Sequence, residues 1–134
     1  MATYRIYLTD DDRFLLDMYA VKFKAGGHEV SVFQNGNSLL EELRAKPAPD
    51  ALLLDVVMPE IDGFQVLEAI QKEGLAPTMK KIVLSNQGQD TDIEKAKTLG
   101  AIGYIIKASA IPSEVYAETI KLIEGGAIAP GTTI

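Results

Sequence analysis

Cysteine is missing from the 134 residues, and histidine occurs only once, at position 28. Without cysteine there is no disulfide framework, no thiolate zinc site and no cysteine nucleophile. A chain of that kind suits a reducing cytoplasm, which is the expected location. Beside Gly26-Gly27, His28 reads as a surface residue entering an edge strand, not as a catalytic group. Long apolar runs are also lacking. None approaches the roughly 20 residues a membrane span requires. The first residues, Met1-Ala2-Thr3-Tyr4-Arg5, lead into a strand pattern rather than a signal-peptide core. Basic residues are scarce, with 13 Lys and Arg against 19 Asp and Glu and a formal net charge of −6. Unaided binding to nucleic acid rests on neutralising phosphates, so proteins are the expected partners.

The remaining composition, 47% hydrophobic and 24% charged, is that of an ordinary globular domain. The length suits one domain able to bury a core unaided. Residues 1–125 carry all the predicted elements, and 126–134 form a short tail.

Apolar runs alternate with helical stretches. The first strand covers 5–9. A helix follows over 12–25, with Phe14, Met18, Val21 and Ala25 along one stripe. Residues 28–33 alternate like a half-exposed edge strand. Beyond the Asn35-Gly36 turn, Leu39, Leu40 and Leu43 mark a helix over 38–46. Ala51-Leu52-Leu53-Leu54 is continuously apolar, as in a strand buried on both faces. Further helices are predicted over 63–73, 90–99 and 112–124, and strands over 81–84 and 103–106. Such alternation implies a three-layer α/β domain with a parallel sheet. Right-handed crossovers make the flavodoxin-like (βα)5 arrangement, strand order 2-1-3-4-5, the expected topology.

All strands of such a sheet direct their carboxyl ends to one rim, where ligands bind. The first strand ends in Thr9-Asp10-Asp11, the third in Asp55, the fourth in Ser85 and the fifth in Lys107. Taken singly, each has an ordinary explanation: helix capping for the aspartates, a turn for Asp55, a solvated charge for Lys107. Asp12 is the natural helix cap. Together they have a chemical logic. Carboxylates about 4 Å apart repel by roughly 4 kcal/mol at an effective dielectric of 20. A cation relieves that repulsion, and a few hard oxygen ligands suit Mg²⁺. Lys107 offers a point charge for phosphate and Ser85 a hydroxyl donor. Asp55, ending the most buried strand, is the natural nucleophile.

Leu8-Thr9-Asp10-Asp11, Leu54-Asp55-Val56-Val57-Met58-Pro59 with Asp62-Gly63, Val83-Leu84-Ser85 and Tyr104-Ile105-Ile106-Lys107 resemble the signature blocks of bacterial response-regulator receiver domains. Their order and spacing agree with that family from about Tyr4 to Glu124. The resemblance implies that Asp55 is the phosphoacceptor, supplied by a sensor histidine kinase or a histidine phosphotransfer protein. It implies Mg²⁺, with Mn²⁺ able to substitute, held by Asp11, Asp55 and the Val57 carbonyl, with Asp10 acting through water. Lys107 would hold phosphoryl oxygens. Ser85 would swing toward the phosphoryl group and Tyr104 would shift inward, altering the surface offered to a downstream protein. Val57 and Gln87 stand at positions associated with phosphoryl lifetime.

Three departures stand out. Ala108 replaces a usual Pro, often cis in the family; a cis bond before Ala costs about 2.5–4 kcal/mol, so a trans bond or remodelled loop is expected. Asn86 replaces a small residue, implying narrower access to the site. Ser85 replaces Thr and keeps the hydroxyl. Rival functions fare worse. An aspartate-nucleophile hydrolase would carry a second acid two residues on, where Val57 stands. A flavin or nucleotide carrier would not meet a cofactor phosphate with three aspartates. A receiver-like interaction scaffold independent of phosphorylation is the remaining alternative.

Overall fold

The computed structural model describes residues 2–86, 88–107 and 110–125. The expectations for Gln87, for the bond before Ala108 and for the tail at 126–134 therefore lie outside the described residues. In chain order the elements are β1 (Arg5–Thr9), α1 (Arg13–Ala25), β2 (Glu29–Phe33), α2 (Gly36–Ala45), β3 (Ala51–Asp55), α3 (Gly63–Glu73), β4 (Lys80–Ser85), α4 (Asp90–Thr98), β5 (Ala101–Ile106) and α5 (Pro112–Gly125). The strands form one parallel sheet in the expected order β2-β1-β3-β4-β5. β3 is buried at every residue, as its unbroken apolar run requires. Alternate residues of each strand feed two cores. Ile6, Leu8, Leu53, Ile82, Leu84 and Ile105 pack under α1 and α5. Tyr7, Leu52, Leu54, Val83 and Tyr104 pack under α2, α3 and α4.

Local signals explain the helix starts. Asp12 caps α1 by accepting from the Leu15 N–H, and Asn35 caps α2 through Ser38. Asp62 and Gln65 cap α3 reciprocally. Gly74, with φ +66°, ends α3 in the left-handed conformation.

Two expectations are corrected. The apolar stripe that marks α1 in the sequence is not the one that packs. Phe14 and Val21 are 74% and 66% exposed, whereas Leu16, Tyr19, Ala20 and Phe23 are buried. Both sets repeat at helical spacing, and the set carrying Phe23 and Tyr19 places more ring surface against the sheet and α5. His28 is also inside, at 7% exposure. Its ring stacks on Tyr4, its Nδ1 accepts the Tyr4 backbone N–H at 3.0 Å, and its Nε2 meets the Tyr116 hydroxyl at 3.1 Å. An imidazole accepting at Nδ1 and carrying its proton on Nε2 satisfies both contacts. His28 thus ties β1 to α5 at the rim opposite the strand carboxyl ends. Gly26 makes room for this, since a Cβ there would lie 2.1 Å from the Tyr116 hydroxyl.

Candidate functional site

The carboxyl ends of β1, β3 and β5 converge on a cavity of about 260 Å³. Asp10, Asp11, Asp55 and Lys107 line it, joined by Asp12, Leu15, Val57 and Asn86. Asp10 and Asp55 are buried at 1% and 4% exposure, while Asp11 is exposed. One carboxylate oxygen from each of the three lies within 4.8 Å of the others. Lys107 Nζ is 2.8 Å from Asp10 Oδ2 and 3.2 Å from Asp55 Oδ1. The other oxygen of Asp10 accepts the Asp12 backbone N–H at 2.9 Å, which orients it.

The loop after β3 owes its path to Gly63. Its N–H donates to the Val56 carbonyl at 2.8 Å, and a Cβ would lie 2.4 Å from the Asp55 carbonyl oxygen. Only glycine lets the start of α3 press against the backbone that carries Asp55. Met58 is buried in the same loop, and Val57 is left 62% exposed at the cavity mouth.

Burial is the main influence on Asp55, and the nearby Asp10 charge adds to it. Lys107 offsets them only in part, so the carboxyl is pushed up to about 7. Burial works against charge on Lys107. The hydrogen bond to Asp10 and the charges of Asp55 and Asp10 outweigh it and hold the ammonium above the ordinary lysine value. The pocket therefore contains more negative charge than its one ammonium relieves. Three hard oxygen donors so placed fit a small divalent cation.

Ser85 and Tyr104 are not on the cavity wall. Ser85 is 1% exposed, and its hydroxyl shares a hydrogen bond with that of Tyr104. Tyr104 is itself buried, at 2% exposure. α1 adds a group that lies off the stripe of Phe14, Met18, Val21 and Ala25. Tyr19 is buried beneath the pocket; burial pushes its phenol up, and Lys107, Asp10 and Asp55 all act on it electrostatically. Its spacing four residues before Phe23 was the available signal.

Residues 6–116 match the family described as the response regulator receiver domain. The chain is 33% identical over 103 residues to the regulatory protein VanRc of Enterococcus gallinarum, covering 77% of this chain and 43% of that protein. It is 28% identical over 122 residues to protein PilH of Pseudomonas aeruginosa, covering 91% of this chain and 98% of PilH. The chain thus spans less than half the length of VanRc and nearly all of PilH. A CheY-like receiver domain protein from Methanospirillum hungatei JF-1 superposes with a TM-score of 0.82 at 23% identity, covering 92% of this chain and 96% of that one. At that identity the likeness concerns the fold.

Proposed function

The chain belongs to the response-regulator receiver-domain family, and on that premise we propose that it accepts a phosphoryl group from a phosphohistidine donor onto Asp55 and thereby alters a protein-interaction surface. One observation carries this reading: a buried carboxyl at a strand end, with an ammonium 3.2 Å away and two further carboxyl groups beside it. An Asp55 oxygen attacks phosphorus as the bond to the donor's imidazole nitrogen breaks. Lys107 stabilises the charge on the phosphoryl oxygens. Asp55 reacts as the carboxylate, and Lys107 favours that form against burial and Asp10.

Asp11, Asp55 and the Val57 carbonyl would hold Mg²⁺ or Mn²⁺, with Asp10, already engaged by Lys107, acting through water. Such an ion, when bound, supplies positive charge to both carboxylate and phosphoryl oxygens. In the switching step the new dianion competes with Tyr104 for the Ser85 hydroxyl. Release of that bond lets Tyr104, under α4, repack. A shift of about 1–3 kcal/mol between two conformations suffices for signalling. Val57, exposed at the cavity mouth, is assigned to phosphoryl lifetime together with Gln87.

The donor is a sensor histidine kinase or a histidine phosphotransfer protein, and the output is a contact with a downstream protein. Exposed Phe14 and Val21 on α1 and Ile111 before α5 offer apolar surface to such proteins. No helix among the described residues is long and apolar enough to cross a membrane. The proposed setting is the cytoplasm, with residues 1–125 acting as one receiver unit and 126–134 as a tail. Its chemistry is confined to its own phosphorylation and dephosphorylation, without turnover of a separate substrate.

The test is exposure of purified protein to Mg²⁺ and a small acyl phosphate, followed by intact-mass measurement. The expected product carries one phosphoryl group and does not form in Asp55→Asn. A folded wild-type protein that forms no adduct would instead be an interaction scaffold independent of phosphorylation.

A further inference from the structure

We propose that Asn86 is a positioning residue for the hydrolysis that ends the phosphorylated state, its carboxamide holding the water that attacks phosphorus. This rests on phosphorylation of Asp55 as proposed above. β4 delivers Ser85 behind the cavity wall, where Tyr104 engages it, and the next residue emerges onto the wall. That residue, Asn86, is exposed and lines the cavity.

The charged groups around it already have partners or a task. Lys107 is paired with Asp10 and Asp55, and Asp12 accepts from the Leu15 N–H. Asp11 belongs to the carboxylate cluster. Leu15 and Val57 are apolar. Among the described residues on the wall, Asn86 has the only neutral polar side chain, and it makes no hydrogen bond to another described residue.

Water must approach phosphorus from the side opposite the Asp55 oxygen. Asp55 lies at the buried end of the cavity, so that side is the open one, where Asn86 stands exposed together with Asp11, Asp12 and Val57. A carboxamide there accepts a hydrogen bond from the water and donates one to a phosphoryl oxygen, without adding charge near a dianion. An oriented water of this kind is a general requirement of phosphoryl hydrolysis. The water oxygen forms a bond to phosphorus while the bond from phosphorus to the Asp55 oxygen breaks. Asp55 leaves as carboxylate with the electron pair, and both water protons stay with the released inorganic phosphate as H2PO4−. Water is the only co-reactant.

The experiment loads wild type, Asn86→Ala, Asn86→Leu and Asn86→Gln with an acyl phosphate and Mg²⁺, removes the donor rapidly, and follows adduct mass and released phosphate. Ala and Leu are both expected to slow decay about tenfold, the worth of one oriented hydrogen bond. Gln should recover part of the rate, and each decay is followed from the amount of adduct actually loaded, so that a change in loading through the altered cavity wall does not enter. Two sterically different residues giving the same loss separates this role from mere obstruction, under which Ala would speed decay and Leu would leave it unchanged. Either of those results overturns the inference, as does faster decay in all three variants, which would mean that the amide binds and protects the phosphoryl group. Unchanged lifetimes on normally loaded protein overturn the role of Asn86 alone. Failure of folded wild type to load removes the phosphorylation reading and this inference with it.

Discussion

Replacing Asp55 with Asn is expected to stabilise the folded domain above neutral pH. The side chain is 4% exposed, beside Asp10, and its carboxyl is pushed from 3.8 to about 7 by burial first and the Asp10 charge second. Because the folded-state value lies above the unfolded one, the group's favourable contribution is complete below about pH 4. It is lost as pH rises through about 7. At roughly 1.4 kcal/mol per unit, the ionised side chain costs the folded state about 4 kcal/mol by pH 8.5. Asn removes that cost, and the attraction of Lys107 at 3.2 Å is already contained in the value of about 7. The expected gain is therefore about 3–4 kcal/mol. Urea unfolding of both proteins in a metal chelator, from pH 4 to 8.5, measures it. The gap should open with pH and close toward acid, where wild-type Asp55 carries its own proton. A variant less stable than wild type at pH 8.5, or a gap that does not vary with pH, would refute this account of the pocket's electrostatics.

Lys107→Ala should still take up a phosphoryl group, but slowly and without the response at the partner surface. Because Lys107 lowers the Asp55 value, the pH midpoint for loading by an acyl phosphate should move upward, and an unshifted midpoint contradicts the pairing. Gly63→Ala places a Cβ 2.4 Å from the Asp55 carbonyl oxygen and 2.9 Å from the Val56 Cα. Backbone must move, so a loss of about 1–3 kcal/mol in urea unfolding is expected. Loading of Asp55 should slow with it. His28→Phe keeps a ring against Tyr4 but removes the acceptor for its N–H, costing about 1–3 kcal/mol. A change within about 0.5 kcal/mol would instead suit a surface position.

Much of this molecule follows from short-range chemistry. The apolar run of β3, the caps at Asp12, Asn35 and Asp62, and polar residues closing successive strands define a parallel α/β sheet and its reactive rim. Asp10, Asp11, Asp55 and Lys107 meet because a parallel sheet brings its strand ends to one edge, whatever the packing details. Other features needed the assembled fold. Helical spacing locates apolar stripes on α1 but not which stripe faces the sheet; the choice of Leu16, Tyr19 and Phe23 over Phe14 and Val21 rests on the shape of the opposing surface. His28 is buried because its contacts come from Tyr4 and Tyr116, 24 and 88 residues away in the chain. Ser85 and Asn86 are neighbours in sequence, yet one bonds Tyr104 behind the wall and the other opens onto the cavity. Local pattern specifies which groups reach the rim; only packing between distant segments determines which way each one turns.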